Sequence, residues 1–130
     1  TGHRASLTRL LQRHEEQYSI DYRDPLSVCR PFDRDRSGTV PGMGSAVLSL
    51  ERRSHAEGRG VRPLARLVSW SSRFGAPKHP LGGSSAALAS AIEDTLSKAG
   101  VTADHLDHIN AAANGSRYLD ASEAQAIQLA

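Results

Sequence analysis

Residues 29 to 51 read Cys29-Arg-Pro-Phe-Asp-Arg-Asp-Arg-Ser-Gly38-Thr-Val-Pro41-Gly-Met-Gly-Ser45-Ala-Val-Leu-Ser-Leu-Glu51. The first part is polar and rich in turn formers. Arg30 and Arg36 can each bond to Asp33 or Asp35, or to loop carbonyls, and planar guanidinium pairing fixes geometry. Pro31 sets the backbone and Phe32 supplies an apolar anchor. Gly38, Gly42 and Gly44 allow tight turns. From Ser45 to Glu51 the pattern changes: Ala46, Leu48 and Leu50 share one side while Val47 lies on the other. Apolar residues on both sides predict a well-buried strand. The unit is a stiffened loop that enters a core strand.

The pattern continues on both sides of this unit. Upstream, Leu7, Leu10, Leu11 and His14 predict an amphipathic helix over residues 3–17. Asp24-Pro25 closes it, because a residue before proline avoids helical geometry. Downstream, Arg52 to Gly60 predicts a short charged helix, stopped by Gly58 and Gly60. Arg62 to Ser71 predicts a second strand, with Leu64, Arg66, Val68 and Trp70 opposing Ala65, Leu67 and Ser69. Ser72 to Gly83 is a surface loop of Gly, Pro and Ser. Ser84 or Ser85 can cap the next helix, in which Leu88, Ile92 and Leu96 form a stripe and Gly100 is the stop. Leu106 to Ala112 predicts a third strand. Asp120-Ala-Ser-Glu123 then predicts a helix start, an acidic variant of the capping box. Strand and helix alternate three times, which is an α/β pattern.

The 130 residues are the size of one domain, and 38% hydrophobic content allows a modest core. At 5% aromatic residues, that core rests on Leu, Val, Ile and Ala. A start at Thr1 and a stop at Ala130 inside a helical pattern lead us to expect a single segment, 1–130, of something larger. The net charge is +2 and the pI about 9.0. Of the 16 cationic residues 14 are Arg, interleaved with acids rather than massed on one face. That argues against a nucleic-acid role. No apolar run approaches the roughly 18 residues needed to span a bilayer, and no signal peptide is visible. The lone cysteine, Cys29, cannot form an internal disulfide and fits a reducing cytoplasm.

Four potential ligands fall in Asp104-His105-Leu-Asp107-His108. On a helix the two histidines would share a face, but strand alternation would separate them, and the spacings of structural zinc sites are missing. A solvated turn is the better reading, with no metal. Glycines 38, 42 and 44 are not followed by Gly-Lys-Ser/Thr and run into a strand, so they do not form a phosphate loop. No Gly-x-Ser-x-Gly elbow supports a hydrolase. Arg30 beside Cys29 could lower a thiol pKa, yet a single neighbouring charge leaves a packed, inert thiol as the expectation.

With these residues in view, a resemblance emerges. Residues 29–51, together with Ala56-Glu-Gly-Arg-Gly-Val-Arg-Pro-Leu-Ala-Arg-Leu-Val68, resemble the mid-domain signature of β-ketoacyl-(acyl carrier protein) synthases. The helix near 86–100 and the strand Asp107-His-Ile-Asn-Ala111 follow in the same order. Residues 24–130 carry these core motifs, whereas 1–23 match only loosely. The resemblance implies a partial thiolase-like fold, the central segment of a ketosynthase domain with a mixed sheet and packing helices. In that family an Asn-Ala-His-Gly-Thr-Gly-Thr motif follows the last strand, with an Asp and a Glu at fixed spacing. Here the run is Asn110-Ala-Ala-Ala-Asn-Gly-Ser116, with Asp120 and Glu123 in register. Ala112 stands at the family's histidine position, so no catalytic residue is assigned. Asn114 and Ser116 replace threonines, Leu119 replaces a usual glycine, and Met43 replaces a usual Glu.

The resemblance implies chemistry as well. Condensing enzymes decarboxylate a malonyl unit, and the enolate needs preorganised donors, normally two histidines. The methyl group of Ala112 donates nothing. The family's nucleophilic cysteine is expected upstream of Thr1 and its second histidine downstream of Ala130, with Cys29 at a non-catalytic position. Chain-length factors, the β-subunits of type II polyketide ketosynthases, have an Ala-rich counterpart of the motif and keep the Asp and Glu. The implied role is a cytoplasmic, non-catalytic subunit that pairs with an active ketosynthase as a heterodimer and helps bound the acyl tunnel. No cofactor is expected beyond the phosphopantetheine arm brought by an acyl carrier protein. Asn110, Asn114 and Ser116 either touch that arm or only cap the strand-to-helix turn. Two other roles stay open: a ketosynthase-like enzyme with altered acyl-transfer or decarboxylase activity, and a truncated module that binds carrier proteins or synthases.

Overall fold

The computed structural model describes residues 25–80 and 82–130. The helix predicted over 3–17 lies outside them. The described residues form α1 (Pro25–Val28), α2 (Arg53–Gly58), α3 (Ser85–Ala99), a 3-10 turn (Ala103–His105) and α4 (Arg117–Leu129). The long helices α3 and α4 pack against each other.

Both ends of α3 form through the residues expected. The Ser84 hydroxyl accepts the Ala87 N–H at 3.3 Å, which satisfies one of the free donors at a helix start. At the other end Gly100 takes the left-handed conformation at φ 68°. The Val101 N–H then reaches back to the Leu96 carbonyl at 3.2 Å and the Gly100 N–H to Ser97 at 3.1 Å. This pair of bonds is a Schellman closure, and it requires a residue without a Cβ penalty. Of the expected stripe on α3, Ile92 and Leu96 are half-buried. Ala89 is the fully buried residue of the helix, whereas Leu88 is 39% exposed.

Helix α4 begins four residues earlier than predicted. Ser116 is its N-cap: the hydroxyl accepts the Leu119 N–H at 3.3 Å, and the Ser116 carbonyl takes the first helical bond, from Asp120 N–H at 3.1 Å. Asp120 therefore lies inside the first turn and is freed for another role.

The three predicted strands do not appear as strands among the described residues, apart from an isolated bridge at Thr39. Ser45–Glu51, Arg62–Ser71 and Leu106–Ala112 run without a backbone ladder. The core among the described residues is small: Val28, Ala56, Ala89 and Ala126. The apolar residues assigned to buried strands, among them Val47, Leu48, Leu50, Leu64 and Trp70, are exposed. The physical reason is that a strand is completed by its neighbour, which supplies the hydrogen bonds and covers the face. Phe32 and Cys29 also depart from expectation. Phe32 is 41% exposed and so is not an anchor. Cys29 is exposed rather than packed, because Val28 is the residue that turns inward at the end of α1.

One extended segment is tied down. The Ser69 hydroxyl donates to the Thr95 carbonyl (2.8 Å) and the Ser71 hydroxyl to the Asp94 carboxylate (2.6 Å). Arg73 and Lys98 also pair with that carboxylate, at 2.9 and 2.7 Å. Hydrogen bonds from Lys98 and Ser71, with the Arg73 charge nearby, hold the Asp94 pKa at about 2 rather than 3.8.

Candidate functional site

The site is the loop from Asn110 to Ser116, and two carboxylates on α4 shape it. Asp120 is 1% exposed. Its Oδ1 accepts the Gly115 N–H at 3.2 Å and its Oδ2 the Phe32 N–H at 2.8 Å. One turn further along, Glu123 Oε1 accepts the Ala112 N–H at 2.8 Å and Oε2 the Ala113 N–H at 3.1 Å. Three N–H groups of the loop therefore end on carboxylates spaced three residues apart on one helix. Such charge-assisted bonds are shorter and stronger than neutral ones.

The polar loop of residues 30–38 closes the arrangement from the other side. Arg36 donates to the Ser116 carbonyl through Nε (3.2 Å) and to the Arg117 carbonyl through Nη2 (2.6 Å). It lies 3.8 Å from Asp120 and offsets that charge. Arg117 answers by donating to the Arg36 carbonyl at 3.2 Å. Gly115 at φ 83° presses against the Gly38 carbonyl, where a Cβ would lie 2.8 Å from the oxygen. Within the loop itself, Arg36 also donates to the Asp33 carbonyl (2.8 Å) and Arg30 to the Asp35 carbonyl (2.7 Å). The arginines therefore bond to carbonyls, one of the two alternatives read from the sequence. Pro31 is half-buried in this loop, while Gly42 and Gly44 lie in the exposed run that follows.

Two non-glycine residues here have positive φ, Phe32 at 59° and Ala113 at 43°. Both N–H groups are held by carboxylates, Phe32 by Asp120 and Ala113 by Glu123. That bonding offsets the roughly 1–2 kcal/mol that the left-handed region costs an L-residue.

The sequence-predicted site residues are split by this geometry. The Ser116 hydroxyl is fully buried and used as the N-cap. Asn114 Oδ1 accepts the Ser116 N–H at 2.9 Å, which leaves its amide NH2 to donate elsewhere. Asn110 is exposed and its side chain makes no hydrogen bond among the described residues. Asp104 and His105 are exposed and bond to Thr102, and no group of three potential metal ligands comes together among the described residues. Of the two roles read for Ser116, the structure shows the capping one; sequence reasoning missed the cross-links from Arg36 and Arg117 and the strain at Ala113. Asp120 matched the acidic capping-box pattern equally well by local spacing, and only the fold assigns the cap to Ser116.

Beneath the loop lies an open cleft of about 470 Å³, bounded by α3, the start of α4 and the segment 71–75. The Ala112 methyl group and the Leu119 side chain are on its wall. Beside its mouth the His79 and Tyr118 rings stack at 3.7 Å, tilted by 4°. The cleft has space and a rigid frame, but position 112 offers no proton donor. The site is thus a loop of backbone amides held by one buried and one half-buried carboxylate above a cleft.

The chain belongs to the beta-ketoacyl synthase family: residues 64–130, just over half of it, match the family's C-terminal domain. It is 39% identical over 107 residues to the 3-oxoacyl-[acyl-carrier-protein] synthase 2 of Mycobacterium tuberculosis, covering 80% of this chain and 25% of the relative. A Streptomyces cyaneus relative named as a polyketide beta-ketoacyl synthase is 37% identical over 81% of this chain and 25% of its own length. Among solved structures, the ishigamide ketosynthase/chain length factor aligns with a TM-score of 0.80 and 30% identity, over 95% of this chain and 29% of the other. The chain thus has the thiolase-like arrangement of part of a ketosynthase, and spans about a quarter of the curated relatives' length.

Proposed function

We propose that this chain belongs to a non-catalytic, chain-length-factor-like subunit of a type II polyketide, or related acyl-chain, ketosynthase. The subunit pairs with an active ketosynthase as a heterodimer and helps bound the tunnel that holds the growing chain. Substrate arrives on the phosphopantetheine arm of an acyl carrier protein, and the free amide of Asn114 is the group best placed to meet it.

One observation carries this reading. Asp120 and Glu123 hold the Ala112–Gly115 loop rigidly above a cleft, yet the residue at its centre is an alanine. A frame kept without its donor fits a subunit retained for shape. Losing one preorganised donor to a developing oxyanion costs roughly 100- to 1000-fold in rate. The resemblance of the fold to a ketosynthase/chain length factor is in keeping with membership of such a pair.

The test is to incubate the full-length protein, without a partner, with malonyl-(acyl carrier protein) and follow release of carbon dioxide. We expect the rate of the uncatalysed control. Decarboxylation at the rate of an active ketosynthase would favour the altered-enzyme reading instead.

A further inference from the structure

Asparagine is among the chemically fragile side chains, and most so before glycine. The backbone nitrogen of the following residue can attack the side-chain Cγ, and glycine leaves that nitrogen open because it has no Cβ. The chain has two asparagines, Asn110 and Asn114, and only Asn114 precedes a glycine. Both groups that would react are engaged in the folded loop. The Gly115 N–H donates to Asp120 Oδ1 at 3.2 Å, in a buried bond. Attack proceeds through the deprotonated nitrogen, and a negative charge forming beside the Asp120 carboxylate is opposed. The Asn114 Oδ1 accepts the Ser116 N–H at 2.9 Å, an Asx-turn that fixes the side chain. The flanking backbone is pinned as well, by Glu123 at Ala112 and Ala113 and by Arg36 at the Ser116 and Arg117 carbonyls. Gly115 lies buried at φ 83° against the Gly38 carbonyl. Its peptide cannot swing toward Asn114 without parting the two loops.

We infer that Asn114 is a latent modification site, protected while the Gly115 N–H is held by Asp120 and deamidated when that bond opens. In the step, the Gly115 nitrogen gives its proton to water and forms a bond to Asn114 Cγ. The Cγ–Nδ2 bond breaks, and the nitrogen leaves as ammonia after taking a proton from solvent. Water then opens the cyclic imide at either carbonyl carbon, leaving aspartate or isoaspartate at position 114. Water is the only co-reactant. Isoaspartate inserts a methylene into the main chain before the Gly115 nitrogen, so Gly115 can no longer meet Asp120 in register. An opening of the two loops is therefore recorded covalently and does not reverse. This chemistry belongs to the loop itself and does not depend on the proposed function.

The experiment incubates the full-length protein, in the assembly in which it purifies, at mildly alkaline pH. Peptide mass spectrometry reads the deamidated fraction at position 114, and hydrogen exchange reads the Gly115 amide under the same conditions. The folded protein should deamidate at least about tenfold more slowly than the same protein unfolded in urea. Asp120→Ala removes the acceptor and should raise both rates by about tenfold or more, the opening that follows loss of one charge-assisted bond. Gly100→Ala, which weakens the far end of α3, should leave both rates within about twofold, because the release is local rather than global. If Asp120→Ala does not fold, the wild-type protein is carried through urea concentrations below its unfolding transition, where the two rates should rise in parallel. Deamidation as fast in the folded as in the unfolded protein would overturn the inference. So would an Asp120→Ala rate equal to wild type, an equal acceleration by Gly100→Ala, or deamidation that does not follow exchange at Gly115.

Discussion

Asp120 and Glu123 were legible as a pair, but what they do was not. Their spacing announced a helix start, because acids favour the first turn. No local pattern, however, could reveal that Asp120 reaches Phe32, 88 positions away, since that bond depends on tertiary approach. Because the carboxylate is buried and accepts two N–H groups beside Arg36, Asp120→Asn should destabilise the full-length protein by about 2–4 kcal/mol in chemical denaturation. The amide keeps one acceptor and turns its NH2 toward a backbone donor. An unchanged midpoint would mean that the two loops are held by other contacts. Ala113 gives the opposite sign. At φ 43° it occupies a conformation that glycine adopts freely, so Ala113→Gly should stabilise by about 0.5–1 kcal/mol in the same assay.

Among the elements, α2, α3 and the end of α3 were readable because their signals are local. Ser84 and Gly100 act within a few residues of themselves. Gly100→Ala should therefore cost about 1 kcal/mol, visible as a lower thermal midpoint, through the penalty at φ 68°. The strands were not readable in the same way. The alternation in Ser45–Glu51 and Arg62–Ser71 records which faces want cover, and a ladder forms only where a neighbouring strand is present. The docking of residues 69–73 on α3 also had no sequence signal, because Ser71, Arg73 and Asp94 meet only once the chain is folded. Its pH dependence follows from the lowered pKa of Asp94. The folded pKa is below the unfolded one, so the contribution is complete above about 3.8 and fades as pH falls through about 2. The Asp94 side-chain carboxyl carbon should titrate near 2 by NMR. In Lys98→Met the midpoint should move up toward the ordinary value; a wild-type midpoint near 3.8 would show that the cluster does not form.

At the scale of the molecule, large apolar side chains such as Met43, Leu64, Trp70 and Phe74 lie open. So many exposed large apolar side chains suit contact with further protein, in keeping with a chain that spans a quarter of its relatives' length. The family was legible because its motifs are dense between residues 29 and 123; the expected sheet does not form among the described residues, where the alternating segments have no strand beside them. Ala112 was visible in the sequence, whereas the bonds from Glu123 to the Ala112 and Ala113 N–H groups needed the structure. The most direct test of the central claim is native mass spectrometry of the full-length protein as purified from its source. The account predicts a one-to-one complex with a second ketosynthase-like subunit that carries the catalytic cysteine and histidines. A self-paired species that condenses acyl units with no second subunit present would contradict it.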